Sequence, residues 1–337
     1  MVTVRCSRKL SRFWIASFIV SLGVVSLISG RFWTQSYPKL KSFHIQPTTL
    51  QPFPLIKRHP LAPPYPYPYK FIINQPKKCS NRNPFLVLLV ISESNDVDSR
   101  IAIRNTWGNE SNYRSVDIVT VFLVAISSVT SVPVQKMLEE ESATYGDVIQ
   151  QDFLDTYYNL TLKTLMGMEW VLKFCPNASY VMKIDKDMFL NVEYLVHQLL
   201  RPDLSVRTDY FTGLIVANTG PIRNKAIKWY VPEEIYPNKT YPPYCAGPGY
   251  VFSGDMAKKI YDISQVITVV PNEDSFMGIC LHHLNIPPTK PPDNIFNGHR
   301  IDYKRCLFHK LITVHHYGKS ELQKVWPDFW GEKALGC

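Results

Sequence analysis

The stretch Tyr180-Val181-Met182-Lys183-Ile184-Asp185-Lys186-Asp187-Met188-Phe189-Leu190-Asn191-Val192 decides the fold. Residues 180–184 are apolar except for Lys183, which predicts a buried strand. Two carboxylates, Asp185 and Asp187, follow at once. Acids two residues apart at a strand end can share one hard divalent cation. Mg²⁺ or Mn²⁺ takes one or two protein carboxylates and completes its shell with phosphate oxygens. The alternative is a pair of solvated turn acids, the reading given to Asp96-Val97-Asp98, which has the same spacing in a polar loop. The apolar residues on both sides of Asp185 and Asp187 argue for a defined position there.

Outward from this stretch the pattern is α/β. Residues 85–91 (FLVLLVI) and 118–125 (IVTVFLVA) are continuous β-prone runs of the kind that become buried strands. Residues 134–144 form a polar, Glu-rich helix candidate. Residues 159–174 put Leu162, Leu165, Met166 and Trp170 on one helical face. Alternating strands and helices imply a mainly parallel central sheet with helices on both sides, and such sheets bind ligands beyond the carboxyl ends of their strands. There is no internal repeat and no second domain boundary. The glycine-rich dinucleotide fingerprint, the P-loop, H-E-x-x-H and G-x-S-x-G are all missing, so those chemistries lack their usual signatures.

Charge is divided unevenly. The 337 residues carry 37 Lys+Arg against 28 Asp+Glu, a formal net charge of +9. No acid precedes Glu93, whereas 13 of the basic residues lie in positions 1–92. From Glu93 onward 24 basic residues face 28 acidic ones, a net of −4. A basic fold gripping a nucleic-acid backbone is therefore excluded as the reading of the +9.

The N-terminus reads as a membrane anchor. Residues 13–30 are uncharged, with Arg12 and Arg31 closing the run. At helical rise they span about 27 Å, enough for a thin bilayer. Arg5, Arg8, Lys9 and Arg12 precede the run, which places residues 1–12 in the cytosol and the rest in the lumen. A cleaved signal peptide would have a shorter apolar region and a small-x-small cleavage site, and Arg31-Phe32-Trp33 is a poor cleavage context. Residues 31–78 hold ten of the 26 prolines and read as an extended, solvated stem. A ligand for a proline-reading domain is the less favoured alternative for "APPYPYPYK". Residues 79–337 are then the lumenal domain. Six lumenal cysteines (Cys79, Cys175, Cys245, Cys280, Cys306, Cys337) suit three disulfides, with pairing left open among 15 possibilities. Asn109, Asn159, Asn177 and Asn238 head N-x-S/T sequons.

Six blocks in order carry a resemblance: "RIAIRNTWG" (100–108), "YGDVIQQDFLDTYYNLTLKTLMGMEWV" (145–171), "YVMKIDKDMFLNV" (180–192), "KWYVPEEIYPNKTYPPYCAGPGYVFSGD" (228–255), "EDSFMGICL" (273–281) and "CLFHKLITVHH" (306–316). Together they resemble the β-1,3-galactosyltransferases, glycosyltransferase family 31, over about residues 84–330, and most closely the members acting on terminal N-acetylglucosamine. The resemblance implies a GT-A-type nucleotide-sugar-binding fold, a Mn²⁺ site, an inverting mechanism and a single-pass type II Golgi membrane protein. It implies Asp185, Asp187 and His315 as metal ligands, Asp187 the more direct, while neighbouring His316 reads as a surface histidine. It implies Asp274 as catalytic base, mounted at a helix start capped by Asn272. Arg104, Thr106, Trp107, Asp152, Lys163 and Lys183 are the donor-side candidates, with a structural ion pair the equal alternative for Arg104. Trp229, Tyr230, Tyr244 and Glu273 are the acceptor-side candidates. Lys186 departs from the small or acidic residue usual within the metal motif, and Ala246, Pro248 and Ser275 depart from the pattern of their blocks. Expected partners are UDP-galactose, an N-acetylhexosamine-terminated glycan and a membrane, with no nucleic acid. The alternatives are β-1,3-N-acetylglucosaminyl transfer, or a non-catalytic glycan-binding Golgi protein.

Overall fold

Each residue of strand β2 (Leu86–Ile91) is buried, because the strand is covered on both faces. Val87, Leu89 and Ile91 face one core, while Leu86, Leu88 and Val90 face another. This explains the unbroken apolar run, since a strand buried on both sides has no polar face to alternate with. The computed structural model describes residues 59–127 and 132–331 of the chain, within a compact unit Ile56–Cys337. The expected anchor, residues 13–30, and most of the expected stem lie outside the described residues. Among the described residues no helix is long and apolar enough to cross a membrane.

The remaining strands of the large sheet are β1 (Phe71–Ile73), β3 (Ile118–Ile126), β4 (Val148–Leu154), β5 (Tyr180–Asp185), β7 (Phe211–Val216) and β8 (Tyr244–Ser253). Their order is β1-β4-β3-β2-β5-β8-β7. The four central strands run parallel; β1 and β8 run antiparallel to them, and β7 pairs antiparallel with β8 and so runs with the centre. A small sheet of β6 (Met188–Leu190), β9 (Phe296–Asn297) and β10 (Thr313–His315) has the order β6-β10-β9. The helices used below are α1 (Val97–Arg104), α2 (Val132–Tyr145), α3 (Leu160–Phe174), α4 (Gly254–Ser264), α5 (Glu273–His283) and α6 (Lys319–Trp330).

Strands β2, β3 and β5 and helices α2 and α3 fall where the hydrophobic pattern places them. Helix α3 is buried beyond its expected face, from Thr161 to Met168, because the sheet and further helices enclose it. Gly167 permits that approach: a Cβ there would stand 2.6 Å from Leu123 Cδ1 and 2.9 Å from Leu89 Cδ1.

Three expectations are revised. Residues 59–78 were expected to be solvated stem, yet Leu61, Ala62, Tyr65, Tyr69 and Phe71 pack on the main core. Phe71–Ile73 pairs with β4, and Trp170 Nε1 donates to Asn74 Oδ1 at 3.1 Å. The tyrosines between the prolines supply the apolar area that a solvated spacer would lack. Gly247 and Gly249 flanking Pro248 in "YCAGPGY" suggest a tight turn or loop, yet the segment is the first part of β8. The β7–β8 register shifts between Gly213 and Ile215, and Pro248 falls opposite that irregularity, where a missing N–H is tolerated. Third, the cysteines do not form three disulfides. Cys79 pairs with Cys175, Cys306 is disulfide-bonded, and Cys245 and Cys280 are free. The free pair are packed as small apolar residues in the core, and burial pushes both thiols up.

Candidate active site

A cleft of about 670 Å³ opens beyond the carboxyl end of β5. Asp185 and Asp187 line it, with Lys183, Tyr157, Lys228, Trp229, Tyr244, Gly247, Glu273, Asp274, His315 and His316. One wall is made by the small sheet. His315 on β10 is paired in register with Met188 on β6, so residues 127 apart in sequence meet beside Asp187. His315 Nε2 stands 3.4 Å and His316 Nδ1 3.9 Å from Asp187 Oδ2. His316 is in the left-handed conformation (φ 62°), and its ring stacks on His315 with centroids 3.8 Å apart. One donor atom from each of the three residues fits within 4.8 Å. A carboxylate with two imidazoles is a donor set suited to a divalent transition metal such as Mn²⁺.

Electrostatics follow from these contacts. The hydrogen bond to Asp187 raises the His315 pKa against its partial burial. Burial alone would raise the Asp187 carboxyl, but His315 outweighs it and holds the group below the usual range. Asp185 stands apart from this cluster: its Oδ1 accepts from Lys183 Nζ at 2.7 Å. The reason is strand geometry, since residues two apart on β5 project on one side. Burial raises the Asp185 pKa, against the pull of Lys183.

The opposite wall is the start of α5. Asn272 occupies the N-cap position but makes no side-chain cap; its amide donates to Ser275 Oγ at 2.7 Å. Asp274 Oδ1 accepts from Ser275 N at 2.8 Å, and Oδ2 from Gly247 N at 3.1 Å. Burial lifts its pKa above the ordinary carboxylate value. Glu273 turns inward, accepting from Tyr250 Oη at 2.5 Å and Thr164 Oγ1 at 3.0 Å. Lys183 joins the walls: Nζ also donates to Gly247 O at 2.6 Å and lies 3.6 Å from Glu273 Oε2. Burial pulls its pKa down, but Asp185 and Glu273 more than reverse that and hold the ammonium charged. A bonded line thus runs Asp185–Lys183–Gly247–Asp274 across the floor.

Other expected residues stand elsewhere. Arg104 is bound to Asp147 (Nε to Oδ2, 2.8 Å) and Glu141 (2.7 Å), an ion pair between elements. Trp107 is fully buried with Nε1 donating to Met188 O at 3.0 Å, and Thr106 Oγ1 donates to Ala102 O at 2.8 Å. Asp152 accepts from Lys70 N at 2.7 Å beside β1, and Lys163 is bonded to Ser92 O and Asp155, both at 2.7 Å. None of these five lines the cleft, and neither does Tyr230; Lys183, Trp229, Tyr244 and Glu273 do. Of the sequons, Asn177 and Asn238 are exposed, while Asn109 and Asn159 are partly covered. His316, expected as a surface histidine, instead stands at Asp187, and Tyr157 and Lys228 carried no expectation; the doubled histidine of "ITVHH" was the one available signal for the first.

A mixed α/β sheet thus carries, beyond its strand ends, a polar cleft with an acid–histidine cluster on one side and a buried carboxylate on the other. The galactosyltransferase family model matches residues 98–292, more than half of the chain. Human β-1,3-galactosyltransferase 2 is 48% identical over 275 residues, covering 81% of this chain and 65% of that protein. Mouse β-1,3-galactosyltransferase 1 is 42% identical over 272 residues, covering 81% of this chain and 82% of that one. The chain belongs to the β-1,3-galactosyltransferase family. Its match spans about two-thirds of the length of the galactosyltransferase 2 relatives, 65%. A solved bifunctional glycosyltransferase, WbbM, aligns with a TM-score of 0.37 at 10% identity, covering 70% of this chain and 46% of that one. His315 and His316 lie beyond the family-model match.

Proposed function

We propose that this protein transfers galactose from UDP-galactose, with inversion, in β1,3 linkage to an N-acetylhexosamine-terminated glycan, N-acetylglucosamine being the favoured terminal sugar. The observation that carries the proposal is the bonded line from Asp185 through Lys183 and Gly247 to Asp274. It sets a carboxylate base at a fixed place opposite a cluster able to hold a metal. Asp187, His315 and His316 would hold Mn²⁺, with Asp185 beside them. When bound, the cation supplies charge neutralisation for the diphosphate leaving group.

The residues of the chain do the rest. Asp274 accepts the proton of the acceptor 3-hydroxyl; that oxygen forms a bond to galactose C1 as the bond from C1 to the diphosphate oxygen breaks. Its burial supports the base role, because a raised carboxylate pKa lies nearer the working pH. Trp229, 45% exposed at the cleft, and Tyr244 supply flat faces for sugar rings. The uncharged run at 13–30 supports a lumenal domain held at a Golgi membrane by a single-pass anchor.

The test is a transfer assay with full-length protein, Mn²⁺ and an N-acetylglucosamine acceptor, run with UDP-galactose and with UDP-N-acetylglucosamine. Galactose transfer that stops on chelation is expected. Asp274→Asn should lower kcat at least about a hundredfold while the fold is kept. Preference for UDP-N-acetylglucosamine, or no transfer from either donor, would overturn the reading.

A further inference from the structure

Lys186 stands between the two acids of the metal motif, yet the cleft is lined by Asp185 and Asp187 without it. Its ammonium is bonded instead to Glu93 and Asp96. Strand register accounts for the meeting. Ile91 pairs with Asp185, so the chain leaving β2 toward Glu93 runs beside the chain leaving β5 at Lys186. Asp96 is itself fixed as the N-cap of α1, accepting from Ser99 N at 3.3 Å and Ser99 Oγ at 2.9 Å. Two carboxylates on one ammonium leave a local charge of −1, so the lysine brings no net positive charge to this edge of the cleft.

We infer that Glu93 and Asp96 are positioning residues that hold Lys186 out of the divalent-cation site. The inference rests on the proposed reading of Asp187, His315 and His316 as that site. A lysine freed from both acids has a flexible stem and three donors. It can turn to Asp187 and compete with a metal for the same carboxylate, and its unpaired charge opposes a cation nearby. Glu93 and Asp96 therefore let this chain carry a cation inside an acidic metal motif without losing the motif's purpose.

The test is a double-mutant cycle read by binding of Mn²⁺ alone to full-length protein, with free Mn²⁺ followed by its electron paramagnetic resonance signal. In the native background Lys186→Ala should shift Kd less than about threefold. Replacing both acids (E93Q/D96N) should weaken binding about tenfold, the scale of lost outer-shell partners. Adding Lys186→Ala to that double variant should recover most of the loss. Equal effects of Lys186→Ala in both backgrounds, or an unchanged Kd on replacing the acids, would overturn the inference. Absence of Mn²⁺ binding by the native protein would instead overturn the divalent-site reading beneath it. Asparagine still caps a helix, and Glu93→Gln alone alters a half-exposed side chain, so the single variant gives the same comparison if the double variant does not fold.

Discussion

Lys183 is the residue through which the charges of the cleft are tied together. It is 4% exposed and serves Asp185, Glu273 and the Gly247 carbonyl at once. Replacing it by methionine keeps the stem and removes the charge, leaving two carboxylates without their cation. Breaking a buried pair in this way costs about 3–5 kcal/mol. Lys183→Met should lose that much stability at neutral pH in denaturant titration, and a loss below about 1 kcal/mol would show that the cleft does not depend on it. Lys183 was legible as a polar interruption in an apolar run and, through the resemblance, as a donor-side candidate. Its three partners come from β5, β8 and α5, which only the folded chain assembles.

At the scale of elements, the site depends on how closely helices approach the sheet. Gly254 opens α4 and donates its N–H to Ser179 O at 2.8 Å, just before β5. A Cβ there would lie 2.0 Å from the Ala178 carbonyl oxygen, a backbone atom that cannot move aside. At Gly167 the obstacles are two leucine methyl groups, which can shift in part. Overpacking costs about 1–3 kcal/mol and sometimes more, so Gly254→Ala should lower Tm more than Gly167→Ala. The reverse order would mean that the α4–β5 junction is looser than the α3–sheet contact. Gly278 sets a third close approach, where a Cβ would stand 2.6 Å from Tyr244 Cβ, and this contact presses α5 onto β8 and brings Asp274 to Gly247.

At the scale of the molecule, α1, α2 and the start of β4 are joined by a buried network. Glu141 accepts from Arg100 at 2.7 and 2.6 Å and from Arg104 at 2.7 Å, and Asp147 pairs with Arg104. Burial raises the Glu141 pKa, but the two guanidinium groups outweigh it and set it below its usual 4.5. A folded-state pKa below the unfolded one means that the unfolded chain takes up the proton first. The stabilisation is therefore complete above about pH 4.5 and is lost as pH falls through the folded value. Glu141→Gln should be less stable than the native protein near neutral pH and should show a shallower loss between pH 5 and 3, measured by denaturant unfolding across that range. An identical pH profile would show that the network does not hold this charge.

The local sequence determined β2, β3 and β5 of the parallel centre, because strands buried on both faces must be continuously apolar, and the α3 face, because helical spacing exposes it; it carried no such signal for β4, with Gln150, Gln151 and Asp152 within that strand. It also marked Asp185 and Asp187 by their place after a strand. It could not determine β1, a three-residue strand between Pro68 and Pro76 that pairs at the sheet edge, or β8, whose Gly247, Pro248 and Gly249 oppose strand formation locally and lie at a register irregularity. The resemblance singled out His315, but pairing of β10 with β6 decided that His316 joins it at Asp187. The direction of Lys186 was likewise settled by tertiary structure alone. Spacing states which groups are near in the chain, whereas the charge a group meets depends on strands and turns far apart in sequence, here those carrying Glu93 and Asp96.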